Sequence, residues 1–401
     1  MQKRPCWIEI ATQAVEDNYH FLSGLAAPEM EVLAMIKANG YGHGLELCAA
    51  PLLRAGARWL GITSVDEGLE LRAIAPDVRI LAASGLFRGQ AEAAIAAGIT
   101  VAVWEPWQRE ELEAAAHKAG LGAGAVAVHL EIDSGMSRQG VSPARLATEE
   151  GRALLRHFGG SSPLKLEGVM SHLWGADEAD GAANASQFAA LERALELISG
   201  AGLFADWLNV GASAALVSGA GEQVRALAAK FGMRAMVRPG LAVFGVVPGF
   251  APEFAKGSEP HLLLASLKAL KPALSWKTKV VAVRDVAPGA TVGYNGTFVA
   301  TEPMRLALVA AGYADGVDRH LGNRFSMLVR GERAPIAGRV SMDQSVIDVT
   351  GIDGVAEGDE VVILGKQGED CISVFEHAQA TDTIVWEVFT RIGARVERRA
   401  K

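Results

Sequence analysis

A lysine closes an apolar run, Val32–Ala38, inside the segment Ala34-Met35-Ile36-Lys37-Ala38-Asn39-Gly40-Tyr41-Gly42-His43-Gly44. In a desolvated setting the ammonium form is disfavoured, the pKa falls, and the neutral amine becomes a nucleophile for a carbonyl, which is Schiff-base chemistry. The alternative is a lysine that snorkels to solvent over its apolar stem. Other apolar runs end on residues of equal chemical interest: Arg138 after Val126–Ile132, His172 near the end of Leu166–Leu173, Ser213 at the end of Trp207–Ser213, and Arg238 with Gly240 at the end of Met236–Gly240. Ser213 and the turn Arg238-Pro239-Gly240-Leu241 suit a phosphate group, because glycine lets backbone N–H groups approach its oxygens. A lysine for an aldehyde and a phosphate cradle opposite it point to pyridoxal 5′-phosphate.

These residues need a scaffold that gathers strand ends. Eight apolar runs, Val32–Ala38, Trp59–Ser64, Val78–Ser84, Thr100–Trp104, Val126–Ile132, Leu166–Leu173, Trp207–Ser213 and Met236–Gly240, alternate with helical stretches such as Asp66–Ala75, Gln108–Gly120, Pro143–Phe158 and Asn184–Ala201. That alternation is the pattern of a parallel (β/α)8 TIM-like barrel, whose active sites lie at the C-terminal ends of the strands. An open doubly wound sheet is the alternative. From about Lys271 the pattern changes to short strands with Gly, Pro and Asp turns, which predicts a mainly antiparallel β domain. Residues 1–260 are therefore assigned to the barrel and 261–401 to the β domain, with Pro248–Pro260 as the hinge.

Composition narrows the partners. The 401 residues carry 38 Lys+Arg against 46 Asp+Glu, a net charge of −8, with no basic excess for nucleic acid or an anionic membrane. Uncharged runs such as Trp207–Gly221 are too short and too rich in Gly, Ala and Ser to span a bilayer, and Glu9, Glu16 and Asp17 interrupt any secretory h-region. Cys6, Cys48 and Cys371 are odd in number and widely spaced, which fits reduced thiols in the cytoplasm. The histidines show no paired ligand spacing, so no metal is expected. Gly120-Leu121-Gly122-Ala123-Gly124 precedes a strand and does not join strand to helix, so it is no dinucleotide loop.

The motifs together resemble those of the alanine racemase family along nearly the whole chain. They are Lys37-Ala38-Asn39-Gly40-Tyr41-Gly42-His43-Gly44, Asp133-Ser134-Gly135-Met136-Ser137-Arg138, Ser171-His172-Leu173, Val237-Arg238-Pro239-Gly240, Val292-Gly293-Tyr294, Gly312-Tyr313-Ala314-Asp315-Gly316 and Gly338-Arg339-Val340-Ser341-Met342-Asp343. The resemblance implies a barrel plus a C-terminal β domain, a pyridoxal-phosphate cofactor, an amino-acid substrate, and a homodimer with shared active sites. It also implies that Lys37 holds the cofactor and acts as one base, with Tyr294 of the partner copy as the other. Tyr41, Ser213, Gly240 and Leu241 would bind phosphate, Arg238 would face the pyridine nitrogen with His172 beside it, and Arg138 and Met342 would hold the substrate carboxylate. Tyr313, Arg319 and Asp343 would support the site. Two positions depart from the family pattern: Glu131 stands where many members carry a carbamylated lysine, and Trp386 where a phosphate-contacting tyrosine is common. Glu131 is expected to supply the carbamate's negative charge and orient Arg138, and the bulk of Trp386 bears on substrate choice between alanine and larger amino acids.

Overall fold

In the computed structural model, which describes residues 4–26, 30–177, 182–247, 249 and 261–401, the chain forms two compact units. One comprises Gln13–Gly40 and Cys48–Pro272, the other Met1–Thr12, Tyr41–Leu47 and Ala273–Lys401. The first strand, β1 (Cys6–Ile10), thus groups with the second unit and not with the barrel, unlike the division at residue 260 drawn from sequence. Apart from Gly249, the hinge expected over Pro248–Pro260 lies outside the described residues.

The first unit is a closed parallel barrel of β2 (Met30–Met35), β3 (Trp59–Ile62), β4 (Arg79–Ala82), β5 (Ile99–Val103), β6 (Val126–Glu131), β7 (Leu164–Ser171), β8 (Trp207–Ala212) and β9 (Arg234–Arg238). Strand β9 pairs back onto β2 through Met30–Ala235 and Val32–Val237. The strands read as near-continuous apolar runs because a parallel barrel strand is covered on both faces, by the interior and by the helices outside. Strand β5, Ile-Thr-Val-Ala-Val, is buried at every position.

One expected helix is divided. Pro143–Phe158 forms two helices, Pro143–Leu146 and Glu149–Arg156, because Thr148 restarts the chain as an N-cap, its hydroxyl accepting from Gly151 N at 3.3 Å.

The barrel's two ends differ in chemistry. At the N-terminal end the Trp59 and Trp207 rings meet edge to face, 6.4 Å between centroids, each covered by a guanidinium: Arg79 lies 3.8 Å over Trp59 and Arg234 3.7 Å over Trp207. Above this plug the interior turns polar. His129, fully buried, packs against the edge of Trp59 and approaches Glu167 at 3.8 Å, and Arg79 caps Glu167 from the rim. Gly168 makes the room: a Cβ there would sit 2.5 Å from His129 Cε1.

The second unit is built on the long strand β10 (Leu274–Val286), followed by β11 (Thr291–Val292), β12 (Phe298–Val299), β13 (Met304–Val309), β14 (Ser326–Val329), β15 (Glu332–Pro335), β16 (Ser345–Asp348), β17 (Glu360–Gln367), β18 (Asp370–Ile372) and β19 (Glu397–Ala400). Strand β10 pairs antiparallel with β1, β13 and β17, and shifts register at Trp276/Lys277 and Val280/Ala282 as it passes from one set of neighbours to the next. Strand β1 also pairs in parallel with β19, and Lys401 N donates to Ile10 O at 2.8 Å. Neither β1 nor β19 is among the strands expected from sequence. Glu-Arg-Arg-Ala is a charged sheet edge and carries no apolar signal.

Within this unit Asp315, fully buried, joins two loops. Its carboxylate accepts from Gly312 N at 2.9 Å and pairs with Arg4 at 2.8 Å and Arg395 at 2.7 Å, while Tyr313 N and Ala314 N donate to Ser341 O and Met342 O.

Two substitutions test these packing arguments in denaturant unfolding. Gly168→Ala forces a methyl group against an immobile buried ring and is expected to cost about 1–3 kcal/mol. Asp315→Asn removes the charge that two arginines and an amide converge on, with an expected loss of about 1–3 kcal/mol. An unchanged midpoint in either variant would contradict the packing described.

Candidate active site

Lys37 lies two residues beyond the end of β2, not inside the strand as its apolar run suggests. The chain leaves β2 between its two barrel neighbours, Met35 N donating to Pro239 O and Ile36 N to Gly61 O. It then makes a left-handed turn, with φ of 52° at Ala38, 55° at Asn39, 64° at Gly40 and 52° at Tyr41. For residues other than glycine this region costs about 1–2 kcal/mol each, so the turn persists only where its surroundings over-determine it. On the barrel side it is held by Gly40 N donating to Ile36 O at 2.8 Å and by Ala38 N donating to Glu67 Oε1 at 2.7 Å.

Four basic side chains converge at the C-terminal end of the barrel: Lys37 after β2, Arg138 after β6, His172 after β7 and Arg238 ending β9. Burial, reinforced by Arg138 and against the pull of Glu67, holds the Lys37 amine below its ordinary range, and Arg238 acts in the same sense. Burial also drives His172 down to about 3, with Arg238, Arg138 and Lys37 adding to the effect. Arg238 is buried and fixed from four sides. It donates to Asn209 O and Asn209 Oδ1, both at 2.6 Å, to Ser171 O at 2.9 Å, and to His172 Nδ1 at 3.5 Å. A guanidinium only donates, so Nδ1 accepts and the proton of the neutral imidazole resides on Nε2. Asn209 extends the network inward, reaching His129 Nδ1 at 3.5 Å.

The turn that presents Arg138 is made by Asp133, whose Oδ1 accepts from Gly135 N and Ser137 N, both at 3.0 Å. It is tied to the end of β7 by Ser134 and Ser171, 2.8 Å between hydroxyls, and by Gln187, which donates to Ser134 Oγ and to His172 O. Glu131, Arg138 and His172 line one small cleft here. The carboxylate of Glu131 accepts from Gln139 Nε2 at 2.8 Å, and its burial raises its pKa even though Arg238 and Arg138 act against the rise. The expected pairing with Arg138 is not made. Among the described residues the Arg138 guanidinium has no hydrogen-bond partner, and it is exposed for a ligand.

Ser213 opens the helix Ser213–Ser218, and its Oγ accepts from Gly240 N at 3.0 Å and Ala242 N at 3.2 Å, joining the ends of β8 and β9 around Leu241. Its hydroxyl proton has no acceptor among the described residues although the side chain is buried. A buried donor of this kind, a depressed lysine amine and a cationic rim are what an anionic aldehyde cofactor requires, so these residues fit pyridoxal phosphate.

In the second unit Tyr294 sits at the tip of the β11–β12 hairpin and is 66% exposed. Tyr41 is buried, and the residues after it are anchored by Arg398 Nε donating to Gly42 O. Met342 and Asp343 occupy the loop that Arg395 holds through Asp343 at 2.9 Å, and Met342 is 53% exposed. Tyr313 and Arg319 are brought together with Asp318, His320 and Arg391 around an open cleft of about 440 Å³. Trp386 lies half-buried on the helix Val385–Thr390. Sequence reasoning missed Asn209, Glu67 and Gln139. Asn209 had a signal, a polar residue in a run otherwise fit only for burial. Among the described residues no group of three or more His, Cys, Asp or Glu side chains is arranged to hold a metal, and no helix is long and apolar enough to cross a membrane.

The depressed His172 pKa gives a pH test. The unfolded chain takes up this proton near the ordinary value of about 6.5, the folded chain only near 3. The stability this group contributes is thus complete above the first value and is lost as pH falls from there toward the second. The imidazole 15N signals of His172 are expected to remain those of the Nε2–H tautomer at pH 5; a midpoint near the ordinary value would refute the assignment.

Comparison with known proteins agrees with this geometry. The alanine racemase N-terminal domain model matches residues 10–248, and the C-terminal domain model residues 273–400. An alanine racemase of Symbiobacterium thermophilum is 36% identical over 98% of this chain and 97% of its own length. The crystal structure of alanine racemase from Streptomyces lavendulae superposes with a TM-score of 0.86 at 34% identity, covering 100% of this chain and 98% of that one. That of the Bartonella henselae enzyme, with covalently bound pyridoxal phosphate, superposes with a TM-score of 0.79 at 26% identity and 99% coverage of both chains. The motifs, the barrel with its β domain and the full-length matches agree, and the chain belongs to the alanine racemase family.

Proposed function

We propose that this chain is a pyridoxal-phosphate-dependent isomerase that interconverts L- and D-alanine by a two-base mechanism. The observation that carries the reading is the convergence of Lys37, Arg138, His172 and Arg238 on one barrel end, with the amine and the imidazole both held toward their neutral forms. Lys37 would hold the cofactor aldehyde, Ser213, Gly240, Leu241 and Tyr41 its phosphate, with Trp386 bordering it, and Arg238 its ring nitrogen. When bound, the cofactor supplies electron withdrawal that acidifies the substrate Cα–H.

The remaining steps belong to the protein. Arg138, whose guanidinium has no hydrogen-bond partner among the described residues, takes the substrate carboxylate and so fixes which bonds at Cα face the bases. Inversion needs one proton acceptor on each face. The Lys37 amine serves one face, and Tyr294 Oη from a second copy of this chain serves the other, in a homodimer with shared sites. His172, neutral with its proton on Nε2, is a donor that steadies a phenolate, and Arg238 behind it adds positive potential. Arg238 never releases its proton, so it disfavours protonation of the ring nitrogen and favours prompt proton return over rerouting of electrons. Glu131 balances the rim charge through space. Tyr313, Arg319 and Asp343 support the approach to the site. The unpaired cysteines Cys6, Cys48 and Cys371 suit a cytoplasmic enzyme, and the D-alanine formed would feed peptidoglycan.

The test is Cα exchange in deuterated water with optical rotation followed in parallel, on L-alanine and L-serine. Racemisation with deuteration, faster on alanine, is expected; preference for serine would overturn the substrate assignment. Lys37→Ala and Tyr294→Phe are each expected to lower kcat by about 10²–10⁴-fold. Mixing the two variants with subunit exchange should restore about one quarter of wild-type activity, since half of random dimers carry one complete site. No recovery after verified exchange would remove the shared site.

A further inference from the structure

The loop after β3 and the helix Val65–Ile74 lie outside all of the family motifs, yet they reach the reactive lysine. Glu67 occupies the third position of that helix, following Ser64 at the N-cap. The spacing Ser64-Val65-Asp66-Glu67 is that of a capping box, in which the glutamate returns to the N-cap amide. Here Ser64 makes no side-chain cap bond, and the Glu67 carboxylate is directed elsewhere. Its Oε2 accepts from Thr63 N at 2.7 Å and its Oε1 from Ala38 N at 2.7 Å. One carboxylate thereby joins the exits of adjacent barrel strands, β3 through Thr63 and β2 through Ala38.

We propose that Glu67 is the positioning residue of the site, clamping the left-handed turn that follows Lys37 so that the amine is presented in one orientation. Ala38 is the first of the residues at positive φ, and its amide, three residues past the end of β2, is bound by Glu67. Bonds from an anion to amide protons are about twice as strong as neutral ones, which suits them to holding a disfavoured backbone.

The same carboxylate acts on the amine's charge. Within the barrel unit Lys37 is faced by Arg138 from the loop after β6, Arg238 from β9, His172 from the end of β7 and Glu67 from the helix after β3. Both arginines disfavour the ammonium, and Glu67 favours it. A base that must take up a proton on one half-reaction and release it on the other needs both tendencies present. The inference rests on the reading of Lys37 as the reactive amine, but its test does not depend on turnover.

The experiment compares Glu67→Gln, Glu67→Ala and Glu67→Asp with wild type. In the cofactor-free protein, hydrogen exchange at the Ala38 amide is expected to accelerate at least tenfold in Glu67→Ala and much less in Glu67→Gln, which keeps an acceptor oxygen. Reductive methylation of Lys37 by formaldehyde, quantified by peptide mass spectrometry across pH, should shift its midpoint toward acid in Glu67→Gln, because the charge favouring the ammonium is gone. In the loaded enzyme kcat should fall with KM for alanine little changed, and Glu67→Asp should recover part of it. Unaltered Ala38 exchange with an unaltered methylation profile would overturn the proposal. Should Glu67→Ala fail to fold, the Glu67→Gln methylation profile alone decides. An intact clamp in a protein without racemase activity would count against the function and not against the clamp.

Discussion

Burial, with guanidinium groups beside it that cannot lose their protons, disfavours the charged forms of an amine and an imidazole at one end of the barrel. The rim of the barrel is organised around that constraint. Burial lowers the pKa of both Lys37 and His172, and Arg138 and Arg238 add to it where little water remains to screen their charges. An arginine free to swing would spread this effect over many geometries. Arg238 has no such freedom, because Asn209, Ser171 and His172 define its plane from inside the barrel. Its share of the field at the lysine is therefore as rigid as the strand that carries it, while the Arg138 share comes from an exposed side chain on a loop.

The rest of the barrel follows as support for that field. Its N-terminal end carries two tryptophans and two arginines, and the polar chain from Glu167 through His129 and Asn209 runs from there toward Arg238. Gly168 is part of the same arrangement, since a larger residue would displace the imidazole on which Asn209 leans. Arg138 differs from Arg238 in being exposed and without a hydrogen-bond partner among the described residues.

The architecture was legible in the sequence where burial is two-sided. Parallel strands covered on both faces leave unbroken apolar runs, and four of the eight have Arg138, His172, Ser213 or Arg238 within or shortly after their ends, so these positions stood out in the chain alone. What was not legible depends on partners distant in the chain. Strand β1 is only five residues long, and its partners β10 and β19 lie at the other end of the sequence. Glu67 fell unmarked within the expected helix Asp66–Ala75, because the amide it binds is that of Ala38, beyond the end of β2. The expected link from Glu131 to Arg138 is absent, and the carboxylate instead accepts from Gln139, one residue past the arginine.

The placement of β1 also fixes an order of events during synthesis. Cys6–Ile10 emerges from the ribosome before any of the barrel, but the strand it pairs with begins at Leu274 and its parallel neighbour at Glu397. At about 5–20 residues per second this interval is on the order of tens of seconds. During this interval the barrel strands can find one another, all but the closing β2–β9 pair having neighbours consecutive in the chain, while both edges of Cys-Trp-Ile-Glu-Ile lack their native partners. Strand β1 is made before the barrel and paired after it, and exposure to wrong pairing is concentrated in Cys6–Ile10 during that interval.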